Sequence, residues 1–354
     1  LMTGHYRASD LAAVSVGASL WLPLYLFMVG VLLAVTPLVA RARGGGGVAG
    51  LGCELQNAAV LGLVLGLLAG MLLLLARPLF ARVGVEPGVA RLGGDYLAGV
   101  ALGFPAIALY QVLRGYCEGL ARVRPILIIG LGGLVFNVPA NAWLIHGGPG
   151  VPALGALGCG LATALSMWFM LGCMLVVLWR GATPFPWRPW QGLDPGAWRR
   201  LLGIGLPLGL AIFFESSLFA VVALLVAGYG TTVVAAHQVA LNVSSVLFML
   251  PLGLGMALTV RVGHGLGAGG EALAGRRAWH GMALAAGLGL GLALLMWLCA
   301  HLWVTLYTPD PEIRALAASL LVLAAVFQCS DTIQVNAAGA LRGYCDTRVI
   351  MLIT

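Results

Sequence analysis

Apolar stretches long enough to cross a bilayer recur along the whole of this 354-residue chain, and that recurrence leaves few architectures open. A hydrocarbon core of about 30 Å takes about 20 residues of helix. Hydropathy, read with interruptions at Gly, Pro and Arg, predicts spans at 11–40, 51–76, 95–117, 125–146, 154–179, 201–228, 233–260, 278–306 and 313–340, with another helix starting at the end. The repetition excludes a lone anchor or signal peptide. A closed barrel also satisfies its backbone in lipid, but it needs short alternating strands, and these runs are long and uniformly apolar. With 61% hydrophobic residues, 9% charged residues and a mean hydropathy of +1.01, a soluble fold would have apolar surface it could not bury. The expectation is an all-α polytopic membrane protein.

The formal net charge of +7 would suit nucleic acid, yet every basic residue is Arg, and the arginines sit in the connections between spans. Arg41 and Arg43, then Arg114, Arg122 and Arg124, then Arg180, Arg188, Arg199 and Arg200, then Arg261, Arg276 and Arg277, then Arg342 and Arg348 mark every second connection. By the positive-inside rule these face the cytoplasm, and a nucleic-acid partner is excluded. Connections 147–153 and 229–232 carry no charge and 307–312 carries Asp310 and Glu312, so they face outward. The mixed stretch 77–95 is assigned outward by parity.

Seven scattered cysteines read as small buried hydrophobes, and neither they nor the six histidines have a metal-ligand spacing. The glycine-rich runs Gly44 to Gly47 and Gly263 to Gly270 lack the lysine and the strand of a phosphate loop and read as turns. Glu54, at the start of its span, is expected to be neutralised by solvent or by Arg41 and Arg43.

The sequence also repeats. Leu113-Arg114-Gly115-Tyr116-Cys117-Glu118 returns as Leu341-Arg342-Gly343-Tyr344-Cys345-Asp346, displaced by 228 residues, and a displacement of 223 pairs Thr36 with Thr259, Val39 with Val262 and Gly44 with Gly267. Two homologous helical lobes follow, and because both copies fall at arginine-rich ends the repeat is parallel. The lobes are expected at 1–180 and 201–354, joined by a cytoplasmic linker at 181–200 whose Thr183 to Pro195 segment is rich in Pro and Trp. Counterparts of Glu215 and Arg180 fall beyond the two ends, so the expected whole is about twelve spans in two bundles of six around a central cleft, with the first helix and about the last two outside this chain.

Two acids stand inside apolar spans with no base nearby: Glu215 in Phe213-Phe214-Glu215-Ser216-Ser217, and Asp331 in Gln328-Cys329-Ser330-Asp331-Thr332. A charge at the bilayer centre costs at least about 2.5–3.5 kcal/mol, so such residues face a cavity or a partner. If the two converge, a proton and a monovalent metal cation become competing ways to neutralise them, which is a physical basis for ion coupling. Gln238, Asn242 and Ser245 share one helix face and are candidates to line the same cavity. Asn137 and Asn141 have the same four-residue spacing around Pro139, which can free a carbonyl. For these amides interhelical hydrogen bonding is nearly as good an explanation as a site. No catalytic constellation is present, so an enzyme is not expected.

These residues resemble the multidrug and toxic compound extrusion (MATE) family, its NorM-type bacterial branch in particular. The resemblance covers essentially the whole chain through Leu1 to Gly4, Asp10 to Ser15, Phe213-Phe214-Glu215, Ala235 to Ala240 with His237 and Gln238, Gln328 to Asp331, and Ala337 to Tyr344. It implies a multi-pass protein of the bacterial inner membrane that acts as a monomer and exports lipophilic, often cationic drugs in exchange for Na⁺ or H⁺. By the resemblance Glu215 and Asp331 fall on the second-lobe cation site, Gln238 on the central cavity, and Asn137, Asn141 and Thr163 on first-lobe coupling positions. Some relatives have Asp where this chain has Asn141, which weakens a proton relay there, and Phe327 replaces a Tyr and removes its hydroxyl. A lipid-linked oligosaccharide flippase of the same superfamily is the alternative, but it calls for a cationic cavity where the embedded charges here are acidic. A membrane-embedded enzyme is a further one.

Overall fold

The structure is a computed structural model, and it describes residues 8–47, 51–76, 78, 80, 86–148, 150, 152–181 and 192–353. In chain order the helices are α1 (Ala8–Leu32), α2 (Val35–Gly44), α3 (Gly52–Leu75), α4 (Pro87–Ala101), α5 (Phe104–Gly119), α6 (Arg124–His146), α7 (Gly155–Trp179), α8 (Pro195–Ala227), α9 (Thr231–Leu298), α10 (Ala300–Tyr307), α11 (Pro311–Tyr344) and α12 (Thr347–Ile353). No strand forms among the described residues. Most of the Pro- and Trp-rich segment 183–195, with Trp187 and Trp190, lies outside them.

Among the described residues seven helices are long and apolar enough to cross a membrane, or eight when α4 and α5, bent by 42° at their junction, count as one span. The 68 residues of α9 would reach about 100 Å if straight, three times a bilayer core. Gly270 interrupts them with a non-helical φ of 70° and ψ of −159°. The chain doubles back there, since Gly265 meets the backbone of Ala274 and Gly281 meets the side chain of Leu258. Counting the two arms of α9 separately recovers each of the nine spans expected from hydropathy.

Two local expectations change. The third span begins at Pro87 and not near residue 95, because a proline at the first helical turn is preorganised for helix and loses no hydrogen bond. The run 263–270 is helical up to Gly269, and only Gly270 is a turn. Close packing of the returning arm outweighs the helix penalty of each glycine, about 1 kcal/mol.

The helices pack as two compact units, Leu1–Val39 with Val48–Phe213, and Ala40–Gly47 with Phe214–Thr354. In the first unit glycines bring backbones together: a Cβ on Gly30 of α1 would stand 2.6 Å from Cα of Gly209 in α8, and one on Gly99 of α4 would stand 2.7 Å from N of Leu161 in α7. Buried Asp10 closes the outer end of this unit, its Oδ1 accepting the Ala156 N–H at 2.7 Å where α7 begins and its backbone donors have no intrahelical partners.

In the second unit α11 lies in parallel against the first arm of α9. Thr259 donates to the Gly339 carbonyl at 2.8 Å, and Asn336 donates to the Pro251 carbonyl at 3.4 Å. A Cβ on Gly343 would stand 2.7 Å from Val262 Cβ and 2.8 Å from the Thr259 carbonyl oxygen. The first unit has the same contact at Gly119, where the distances to Val39 Cβ and the Thr36 carbonyl oxygen would be 2.6 and 2.8 Å.

That correspondence corrects the repeat. It pairs Gly119 with Gly343, a displacement of 224, where the Leu-Arg-Gly-Tyr-Cys recurrence pairs Gly115 with Gly343. The helix ends agree with 224, because Ala121 (φ 56°) and Cys345 (φ 64°) are both left-handed caps. In each cap the next N–H reaches back five residues, Arg122 to the Cys117 carbonyl and Asp346 to the Leu341 carbonyl. So do the starts, Glu86-Pro87 and Asp310-Pro311. The motif reading slips by one helical turn because contact glycines occur every four residues on both helices, at Gly115 and Gly119 and at Gly339 and Gly343, so the slip still puts glycine on glycine. In the corrected register Asp331 replaces Ile107.

The displacement of 223 for the preceding helices appears as a physical contact. Gly44 of α2 sits against the His264 carbonyl and Gly267 of α9 against the Arg41 carbonyl, so each helix offers its glycine to the other's equivalent residue. Gly44→Val or Gly267→Val places side-chain carbon onto a carbonyl oxygen, and we expect each to lower stability by roughly 1–3 kcal/mol as overpacking does. The apparent melting temperature in detergent measures this, with Gly253→Val, at a glycine with open space around it, expected to change little.

Candidate functional site

Glu215 lies on α8 and Asp331 on α11, both in the second unit; Glu215 is exposed and Asp331 half-buried. Glu215 is in the electrostatic field of two charged neighbours, Asp331 and the guanidinium of Arg342, three turns further along α11. Among the described residues neither acid has an ion-pair partner within 4.0 Å.

Behind Asp331 runs a polar ladder that the sequence reading did not single out. Gln328, Thr332 and Asn336 recur every four residues, and all three are buried. Thr332 donates to the Gln328 carbonyl at 2.7 Å and Asn336 to the Thr332 carbonyl at 2.8 Å. The spacing was visible, but only burial distinguishes this face from the one that carries Asp331. Phe327 is 61% exposed and supplies no oxygen. Gln238, Asn242 and Ser245 are exposed on the first arm of α9 and share a face. His237 is half-buried beside them. A cavity of about 730 Å³, lined in part by Tyr229, Thr231, Thr232, Glu312 and Ser319, opens at the α8–α9 connection and the start of α11 and contains neither Glu215 nor Asp331.

In the first unit the structure joins Asn137 to Asn141 and adds Ser166. Asn141 donates to Oδ1 of Asn137 at 2.8 Å, Asn137 donates to Oγ of Ser166 at 3.0 Å, and Ser166 donates to the Ala162 carbonyl at 2.8 Å. Oδ1 of Asn141 is buried without a hydrogen-bond partner among the described residues. Thr163 is half-buried and its hydroxyl bonds back to the Cys159 carbonyl at 3.0 Å, so it is not in this chain of bonds. The sulfurs carry no comparable pattern: Cys117 is buried and the other six cysteines are half-buried.

Other polar groups near the arginine-rich end are engaged in structure. Glu54 pairs with Arg200 at 2.9 Å, which replaces the expected Arg41 and Arg43. Fully buried Asn57 donates to the Cys53 carbonyl at 2.9 Å, and its Oδ1 accepts the Asp194 N–H at 3.0 Å and the Trp198 indole N–H at 3.1 Å. The start of α8 is thereby fastened to α3. Arg114 pairs with Glu118 at 2.7 Å, and Thr36 donates to the same carboxylate at 3.3 Å. Sequence spacing reveals the Arg114–Glu118 pair as i and i+4, whereas Asn57 gives no local signal of a partner 137 residues away.

Comparison with known proteins places these features in a family. Residues 1–143 and 207–354 match the MatE family profile. The chain is 47% identical over its full length to the multidrug resistance protein PmpM of Pseudomonas aeruginosa, covering 75% of that protein, and 44% identical over its full length to a probable multidrug resistance protein NorM of Shewanella oneidensis, covering 78% of it. Its fold is similar to that of a crystallised MATE protein in complex with MaD5, with a TM-score of 0.88 at 18% identity, covering 99% of this chain and 79% of the other. It is also similar to a mutant of the Vibrio cholerae MATE transporter VcmN, with a TM-score of 0.86 at 21% identity over 99% and 79% of the two chains.

The Asn57 contacts give a test that separates structural polar groups from the two acids. Asn57→Leu leaves the half-buried Asp194 and Trp198 donors without their acceptor, at up to about 1 kcal/mol each, the lower end of the cost of an unsatisfied buried group. We expect a lower apparent melting temperature for this variant, and an unchanged one for Glu215→Gln.

Proposed function

The chain belongs to the MATE family of multidrug efflux transporters, and from that premise we propose that it exports lipophilic, often cationic drugs in exchange for Na⁺ or H⁺ by alternating access. The observation that supports this most directly is the pair Glu215 and Asp331. Two carboxyls within membrane spans of one unit, Glu215 within the field of Asp331 and neither with an ion-paired base among the described residues, favour binding of a positive species. Both would hold the monovalent cation, with the remaining oxygens drawn from carbonyls and neutral side chains. An incoming organic cation competes for the same charge, so occupancy by one disfavours the other, and that exclusion couples their movements.

Gln238, Asn242 and Ser245 contribute neutral polar atoms along the drug path. In the first unit the buried, unpartnered Oδ1 of Asn141 suits a cation or a proton donor, with Asn137 and Ser166 holding its orientation. We read residues 1–180 and 201–354 as the two lobes, 181–200 as their linker, and the protein as an inner-membrane monomer. No cofactor is required, since the ion gradient supplies the driving force.

The test is dye efflux from vesicles containing the full-length protein, driven separately by a sodium gradient and by a proton gradient. At least one gradient is expected to drive export, and Glu215→Gln and Asp331→Asn each to slow it roughly tenfold or more, equivalent to about 1.4 kcal/mol of lost differential binding. Efflux indifferent to both gradients in the unaltered protein would sink the antiport reading.

A further inference from the structure

The hairpin at Gly270 gathers arginines in a way that topology alone does not require. Arg261 is on the first arm of α9, and Arg276 and Arg277 are on the second. Gly265 lets the Arg277 stem lie across the first arm, since a Cβ there would stand 3.1 Å from Arg277 Cδ. Nη1 of Arg277 then donates to the Arg261 carbonyl at 3.0 Å. The Arg277 guanidinium is thus anchored next to Arg261. Arg261 and Arg276 are exposed, and among the described residues none of the three has a carboxylate within 4.0 Å. Glu271, also exposed, is on the same hairpin but outside that range.

Arg276, Trp279 and His280 lie at i, i+3 and i+4, so they share a face, and Trp279 is 78% exposed. Beyond it the same arm exposes Leu284, Leu290, Leu294 and Trp297. Arginine, then an exposed indole, then exposed aliphatic side chains is the order of a bilayer leaflet from headgroup to acyl chain. Arginines that served only to orient the span could remain mobile in water. Here one is held by the main-chain carbonyl of Arg261, which keeps its positive charge fixed at this end of the hairpin and open to an anion.

The geometry points to a binding site for an anionic phospholipid headgroup at this hairpin, with the phosphate held by Arg261 and Arg277, Arg276 at its side, and the acyl chains along the exposed face below Trp279. Guanidinium is the group suited to it, because its fork matches phosphate oxygens in bidentate fashion. The site shares no residue with the Glu215 and Asp331 pair, so its success or failure is independent of the transport reading.

The test uses the full-length protein purified in detergent and measures the apparent melting temperature on adding phosphatidylglycerol, cardiolipin, phosphatidylcholine or inorganic phosphate. The anionic lipids are expected to raise it by several degrees at low mole fraction, and phosphatidylcholine and inorganic phosphate to leave it unchanged. Arg261→Gln combined with Arg277→Gln is expected to abolish the rise. The corresponding double Lys variant, which keeps the charge and hence the orientation in the membrane, should weaken lipid affinity several-fold. Arg124→Gln with Arg180→Gln, which removes two exposed arginines elsewhere, should keep the full response. Equal protection by inorganic phosphate would assign the site to a free anion and overturn the lipid, and an equal loss in the Arg124/Arg180 variant would reduce the effect to general surface charge.

Discussion

Backbone contact through glycine is the constraint on which the rest of this structure depends. Lipid offers no hydrophobic gain for bringing one apolar helix to another, so association rests on close van der Waals approach and on hydrogen bonds that close approach allows. Gly30 against Gly209, Gly99 against α7, and Gly339 against Gly255 each bring main chain onto main chain. Only because Gly339 sits that near can the Thr259 hydroxyl reach its carbonyl across the helix pair. The four-residue period of glycine on α5 and α11 sets which faces of these two helices meet their neighbours.

Against that framework the polar groups of the helices include two kinds. Asp10, Asn57, Glu118 and Thr259 are committed to holding segments together: one begins α7, one fastens the start of α8, one pairs with Arg114, and one joins α9 to α11. Their hydrogen-bond capacity is used by protein partners, which is what makes an interior polar group tolerable. Glu215 and Asp331 are not committed in this way. The corrected repeat register adds that Asp331 stands where the first unit has Ile107, so this half of the carboxylate pair is a feature of one repeat and not a common packing element. Asymmetry of this sort is expected when one of two equivalent helices has acquired chemistry.

Much was legible from residue order. Run lengths recovered every span, because the bilayer thickness imposes one length on all of them. Failures came where a three-dimensional neighbour decided the outcome. The run 263–270 reads as a turn by composition, yet it is helix until Gly270 because the returning arm packs on it. Glu54 has Arg41 and Arg43 as its nearest bases in sequence, but pairs with Arg200. The repeated Leu-Arg-Gly-Tyr-Cys string is real as a string, and still one turn away from the spatial equivalence shown by the two left-handed caps.

The chain's own order of residues determined that it is helical and membrane-spanning, that it is built from a duplicated bundle, and that its embedded acids are few. Those properties follow from hydropathy, chain length and charge cost, which act on each segment separately. Only the tertiary structure decided the register of the duplication, the partners of Glu54 and Asn57, the burial of the Gln328, Thr332 and Asn336 ladder, and the gathering of Arg261 with Arg277. Each of these depends on a contact between distant residues, and a glycine that permits such a contact looks the same in sequence as one that faces open space.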